Sequence, residues 1–119
     1  MTSIGIDIIE TERIESATRQ WGERFLNRVY TEAELEICQG RIQSLAARFA
    51  AKEAVMKVLG TGAKGVSWHE IEILADGNGK PLVKLYGRAK NKAEELNLSE
   101  FSVSLSDTKQ HAVAVAIST

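Results

Sequence analysis

Along residues 4 to 9 the chain alternates, with Ile4, Ile6 and Ile8 to one side and Gly5, Asp7 and Ile9 to the other. This predicts a strand that turns Asp7 away from three isoleucines. The charge-rich stretch from about Glu10 to Arg28 reads as surface helix, and Thr31-Glu32-Ala33-Glu34 has the spacing of a capping box that starts another short helix. From Arg41 to Leu59 helix formers run without proline or glycine and stop at Gly60, so the pattern predicts a long central helix. Trp68 to Leu74 and Leu82 to Tyr86 flank Asp76-Gly77-Asn78-Gly79-Lys80-Pro81, and an Asn-Gly pair between apolar runs signals a hairpin. Ala89 to Leu96 reads as helix. In the final strands Phe101, Val103 and Leu105 alternate with serines, and Val113, Val115 and Ile117 alternate with alanines. The serine and alanine positions offer small-residue surfaces that another element can approach closely.

Composition narrows the class. At 119 residues, 44% hydrophobic and 26% charged, with a single proline, the chain is one globular domain, residues 1–119, and not a disordered tail. A net charge of -1 carries no electrostatic footprint for nucleic acid, so any basic site is local. Arg48, Lys52, Glu53 and Lys57 interrupt the most apolar helix, which excludes a membrane span there. The single cysteine, Cys38, makes no internal disulfide, and the first residues lack a secretory pattern, so a cytoplasmic location is expected.

Several candidate sites compete with plainer readings. Gly60-Thr61-Gly62-Ala63-Lys64-Gly65 spells GxGxxG, but it follows a helix where a dinucleotide fingerprint follows a strand, and Val66 stands where a P-loop has lysine. It reads as a helix terminus. Phosphate there would meet the negative end of the helix dipole and need Lys57, Lys64, Lys80 or a metal. At about 100° per residue Ile42, Leu45, Phe49 and Met56 share a stripe, and Glu53 falls about 40° from Phe49. Glu53 with Lys57 is then either an ordinary i, i+4 ion pair or, with Asp7, part of a cation site. The Asp76 loop is a turn rather than a calcium loop, since Lys80 and Pro81 occupy positions calcium would need. His69 and His111 lack metal-ligand spacing, Cys38 reads as a small hydrophobe, and Trp21, Trp68, Phe25 and Phe49 read as packing residues. Arg24 and Arg28, one turn apart, offer a face for an acidic partner, or are solvated beside Glu23 and Glu32.

Gly5-Ile6-Asp7-Ile8-Ile9-Glu10, Arg13-Ile14, Arg24-Phe25, and Arg48-Phe49-Ala50-Ala51-Lys52-Glu53-Ala54 running into Lys57 and Gly60-Thr61-Gly62 resemble, in order and spacing, the holo-acyl-carrier-protein synthase family of phosphopantetheinyl transferases. Trp68, Ile71-Glu72-Ile73 and Asn78-Gly79-Lys80-Pro81 extend the resemblance over nearly the whole chain. It implies an α+β fold with an antiparallel sheet packed on the central helix, and a homotrimer with active sites between subunits. It also implies transfer of 4'-phosphopantetheine from coenzyme A to a serine of apo acyl carrier protein, releasing adenosine 3',5'-bisphosphate. Asp7 and Glu53 would hold Mg²⁺, Lys57 would stabilise the leaving phosphate or give it a proton, and Glu53 or a metal-bound water would take the serine proton. Arg48, Gly60, Thr61, Gly62, Lys80 and Pro81 would line the nucleotide site. Arg13, Arg24 and Arg28 would meet the carrier's acidic helix.

One position departs from the pattern: Ser106 is followed by Asp107, where the family has histidine near coenzyme A. The sequence favours a turn role, with the Asp107 side chain bonding the backbone and Lys109 offsetting its charge. A degenerate module that binds carrier or nucleotide without transfer is the alternative function, and a structural trimerisation domain is the third reading. The acidic pair with lysine favours the enzyme.

Overall fold

The computed structural model describes residues 1–119, the side chain of Ala63 excepted. In chain order the elements are β1 (Ser3–Glu10), α1 (Thr11–Trp21), α2 (Glu23–Val29), α3 (Glu32–Cys38), α4 (Ile42–Leu59), α5 (Gly62–Gly65), a 3-10 turn (Trp68–Glu70), β2 (Ile71–Ala75), β3 (Pro81–Leu85), α6 (Gly87–Glu95), β4 (Phe101–Asp107) and β5 (His111–Ser118). They form a three-stranded antiparallel sheet ordered β1-β5-β4 and a two-stranded antiparallel ribbon, β2-β3. No helix among the described residues is long and apolar enough to cross a membrane.

Register decides what the larger sheet shows to the rest of the molecule. Gly5 lies opposite Ala116, Asp7 opposite Ala114 and Ile9 opposite Ala112. Alternation therefore gathers Gly5, Asp7, Ile9 and the three alanines on one face, and α4 packs against it. Ala112, Ala114 and Ala116 are fully buried there, as are Ala50 and Ala54 of the helix. A Cβ on Gly5 would run into the carbonyl oxygen of Ala54, so only glycine lets the two backbones come this close.

Two expectations change. The stretch from Glu10 to Arg28 is two helices: Gly22, at φ 54°, ends α1 with its N–H on Thr18 O (2.8 Å) and starts α2 by accepting from Phe25 N (3.1 Å). The charge pattern runs through this break unchanged and so does not mark where one helix ends and the next begins. The apolar stripe on α4 is also too narrow a description. Ala46, Val55 and Leu59 are buried as completely as Leu45, because the sheet covers one side while α1, α3 and β2 pack around the others.

Opposite the sheet, α4 carries a buried ion pair. Lys52 Nζ lies 2.7 Å from Glu34 Oε1, both side chains fully buried, and donates to Trp68 O (2.9 Å) and Ile71 O (2.8 Å). Three partners use all three ammonium protons. Glu34 is also the N3 member of the Thr31 capping box, accepting from Thr31 N (2.8 Å), while its other oxygen accepts from Ile73 N (2.7 Å). Burial pushes the Lys52 ammonium below its ordinary 10.5, and Glu34 pulls it back. The pair ties α3, α4 and β2 together.

Removing one partner strands the other charge. Lys52→Ala is expected to cost about 3–5 kcal/mol in urea unfolding. A loss below about 1 kcal/mol would contradict the assignment.

Candidate active site

The close crossing at Gly5 brings the next residue on the same strand face, Asp7, to the C-terminal half of α4. Glu53 and Lys57, one turn apart, meet it there. Lys57 Nζ donates to Ile6 O (2.7 Å) and to Asp7 Oδ1 (3.3 Å), anchoring an ammonium whose side chain is still half exposed. Glu53 is half-buried, and burial followed by the negative charge of Asp7 holds its carboxyl above the ordinary 4.5. Lys57 and Arg13 oppose that shift without cancelling it.

Two carboxylates against one close lysine leave a cation deficit. Among the described residues no group of three or more His, Cys, Asp or Glu side chains gathers as a metal cage. As donors, two carboxylates suit an ion that accepts one or two protein oxygens and completes its shell from substrate phosphates and water, the habit of Mg²⁺.

Beyond Lys57, Gly60 ends α4 at φ 72° as the sequence predicts, but Gly62, at φ 59°, opens the short helix α5 where the sequence reading has only loop. Thr61 lies between these glycines, its hydroxyl buried without a hydrogen-bond partner among the described residues. Arg48, Lys80 and Pro81 are placed elsewhere. Arg48 is buried with Nε on Ile73 O (3.0 Å). Lys80 and Pro81 sit on the ribbon turn, which Asp76 Oδ1 fixes by accepting from Asn78 N (2.8 Å) and Lys80 N (2.9 Å).

Arg13 is exposed on α1, and its charge is felt at Glu53. Arg24 and Arg28 on α2 line one hollow together with Trp21 and Phe25. Of the four aromatics read as packing residues, Trp68 stacks on Phe49 (centroids 4.8 Å apart) and Phe25 meets Tyr30 edge-on, but Trp21 is 53% exposed. Its position directly before the helix-breaking Gly22 is the sequence signal for that exposure.

The turn role expected of Asp107 belongs to its neighbour. Thr108 Oγ1 accepts from His111 N (3.1 Å) and Gln110 N (3.3 Å), and among the described residues no donor bonds to the Asp107 carboxylate. Asp107 is the last residue of β4, still paired with Ala112, so the turn proper begins after it.

Residues 3–116 match the family model described as the 4'-phosphopantetheinyl transferase superfamily. Proteins named holo-[acyl-carrier-protein] synthase from Herpetosiphon aurantiacus and Dehalococcoides mccartyi are 48% and 50% identical to the chain, each alignment covering 98% of both sequences. Among solved structures, the holo-[acyl-carrier-protein] synthase of Helicobacter pylori in complex with coenzyme A superposes with a TM-score of 0.89 at 33% identity, over 98% of this chain and 99% of that one. The Neisseria meningitidis synthase gives 0.88 at 36% identity, over 98% and 97%.

A raised carboxyl pKa has a definite effect on stability. The unfolded chain ionises Glu53 first, so its contribution is full below about pH 4.5 and is lost as pH rises through the raised folded value. In metal-free buffer at about pH 7, Glu53→Gln should therefore melt higher than the wild type, with the difference vanishing near pH 4. A lower melting temperature for Glu53→Gln at neutral pH would contradict this picture.

Proposed function

The chain belongs to the 4'-phosphopantetheinyl transferase superfamily, and from that premise we propose that it works as a holo-[acyl-carrier-protein] synthase. It transfers 4'-phosphopantetheine from coenzyme A to a serine of apo acyl carrier protein and releases adenosine 3',5'-bisphosphate. The observation that carries this reading is the convergence of Asp7, Glu53 and Lys57 from two elements far apart in the chain.

In the transfer, the serine oxygen bonds to the phosphorus bearing the pantetheine arm, and that phosphorus parts from the oxygen bridging the diphosphate. Glu53 or a water molecule takes the serine proton. Lys57, held by Ile6 O and Asp7, faces the charge that develops on the departing phosphate. Asp7 and Glu53 would hold Mg²⁺, which when bound supplies positive charge to the diphosphate. Gly60, Thr61 and Gly62 would line the nucleotide portion of coenzyme A. A cytoplasmic location goes with this reading, where the unpaired Cys38 stays reduced.

The assembly we propose is a homotrimer with its sites shared between subunits. Ile4, Ile6 and Ile8 are 58–67% exposed and stand in register with Ile117, Val115 and Val113, while Ser102, Ser104 and Ser106 extend the same face. So continuous an apolar strip on an isolated chain favours burial against further copies. Sharing would also give Arg48, Lys80 and Pro81 a nucleotide to contact, since within one chain they lie apart from Asp7, Glu53 and Lys57. Arg13, Arg24 and Arg28 would receive the acidic carrier.

Intact mass of apo acyl carrier protein after incubation with the chain, Mg²⁺ and coenzyme A tests the reading, and a gain of one phosphopantetheine is expected. Asp7→Ala should abolish the gain while keeping the fold. Ile6→Lys should lower both assembly size and rate. Carrier binding with no mass gain would mean a degenerate binding module, and wild-type rates for Asp7→Ala across a Mg²⁺ titration would overturn the metal assignment.

A further inference from the structure

We propose that Trp21 is the apolar anchor of the carrier-docking face, seated against an acidic helix of the carrier that displays an aliphatic side chain among its carboxylates. The proposal rests on the reading that Arg24 and Arg28 meet the carrier, and it adds what those charges cannot supply. A tryptophan left 53% exposed on a helix end is unusual when the chain's other tryptophan stacks on Phe49. The fold holds it out. Gly22, at φ 54° and ψ -132°, a conformation open to glycine, turns the chain so that Trp21, Phe25, Arg24 and Arg28 line one hollow of about 410 Å³ with Ala17 as a small-residue floor.

The chemistry of the hollow selects its occupant. Arg24 and Arg28 stand one turn apart on α2, a spacing that two carboxylates one turn apart on a facing helix can match. Trp21 and Phe25 between them call for an apolar side chain rather than a third charge. Trp21 also walls a second hollow of about 380 Å³ with Arg13, Ser16 and Gln20. The docking face therefore continues along α1 to Arg13. Glu10 and Glu12 line that second hollow, which places the acidic partner on the Arg24–Arg28 side. In such an interface exposed arginines chiefly steer the encounter, whereas a desolvated tryptophan slows departure.

The test is steady-state transfer with apo acyl carrier protein varied at saturating coenzyme A and Mg²⁺, for wild type, Trp21→Ala, Trp21→Phe and Arg24→Glu, at low and high salt. Trp21→Ala should raise KM for the carrier at least about tenfold, leave KM for coenzyme A within about twofold, and keep its deficit at high salt. Trp21→Phe should recover most of the loss, and the salt dependence of Arg24→Glu should be weaker than wild type, because its steering charge is gone. A carrier KM within about twofold of wild type for Trp21→Ala would overturn the proposal. So would an equal rise in KM for coenzyme A, or a change in assembly size, which would assign Trp21 to contacts between copies of this chain. An inactive wild type would instead overturn the transferase reading and this proposal with it.

Discussion

Where β1 crosses α4, the backbones meet at Gly5 and Ala54 with room for no side chain between them, and this contact sets the distances on which the candidate site depends. The alanines of β5 and α4 extend the same close packing on either side. Because strand alternation fixes which residues share a face, the glycine that permits the approach also determines that Asp7 arrives beside Glu53 and Lys57. Small residues thus act on function through spacing, with no chemistry of their own.

Such a site works against the fold that holds it. Asp7 and Glu53 repel one another, and a half-buried carboxyl with a raised pKa is less stable ionised than it would be in water. The other side of α4 supplies a counterweight. There Lys52 and Glu34 form a fully satisfied buried pair that locks α3 and β2 onto the helix carrying Glu53. Adjacent residues in one motif have opposite duties: Lys52 holds the scaffold and Glu53 faces the site, since about 100° of helix rotation separates them. A strained site on a rigid support is the usual compromise between stability and activity.

Strands β1, β4 and β5, the ribbon, and the limits of α4 are legible in the sequence because alternation, an Asn-Gly turn and a terminal glycine each act within a few residues. The capping box at Thr31 is legible for the same reason. The burial of Arg48 and Lys52 is not, because charged side chains ordinarily stay in water and their partners lie on β2, α3 and the turn at Trp68. The pairing of Asp7 with Glu53 is likewise hidden, since neither spacing nor periodicity joins a first strand to a later helix. In the sequence only the family resemblance joins them, whereas in the fold the Gly5–Ala54 contact does. At Asp107 local pattern misleads: aspartate and threonine both favour turns, and only the extra ladder pair to Ala112 shows that Thr108 takes that role.

The central claim is that the Gly5–Ala54 contact holds Asp7 and Glu53 in mutual range, and a carboxyl-carbon NMR titration of Glu53 tests it in wild type and Gly5→Ala. The wild-type Glu53 should titrate above the ordinary 4.5. In Gly5→Ala, where the new methyl forces β1 away from Ala54, it should fall back toward that value as water enters and Asp7 withdraws. An ordinary titration in the wild type, or an elevated value unchanged by Gly5→Ala, would contradict the account.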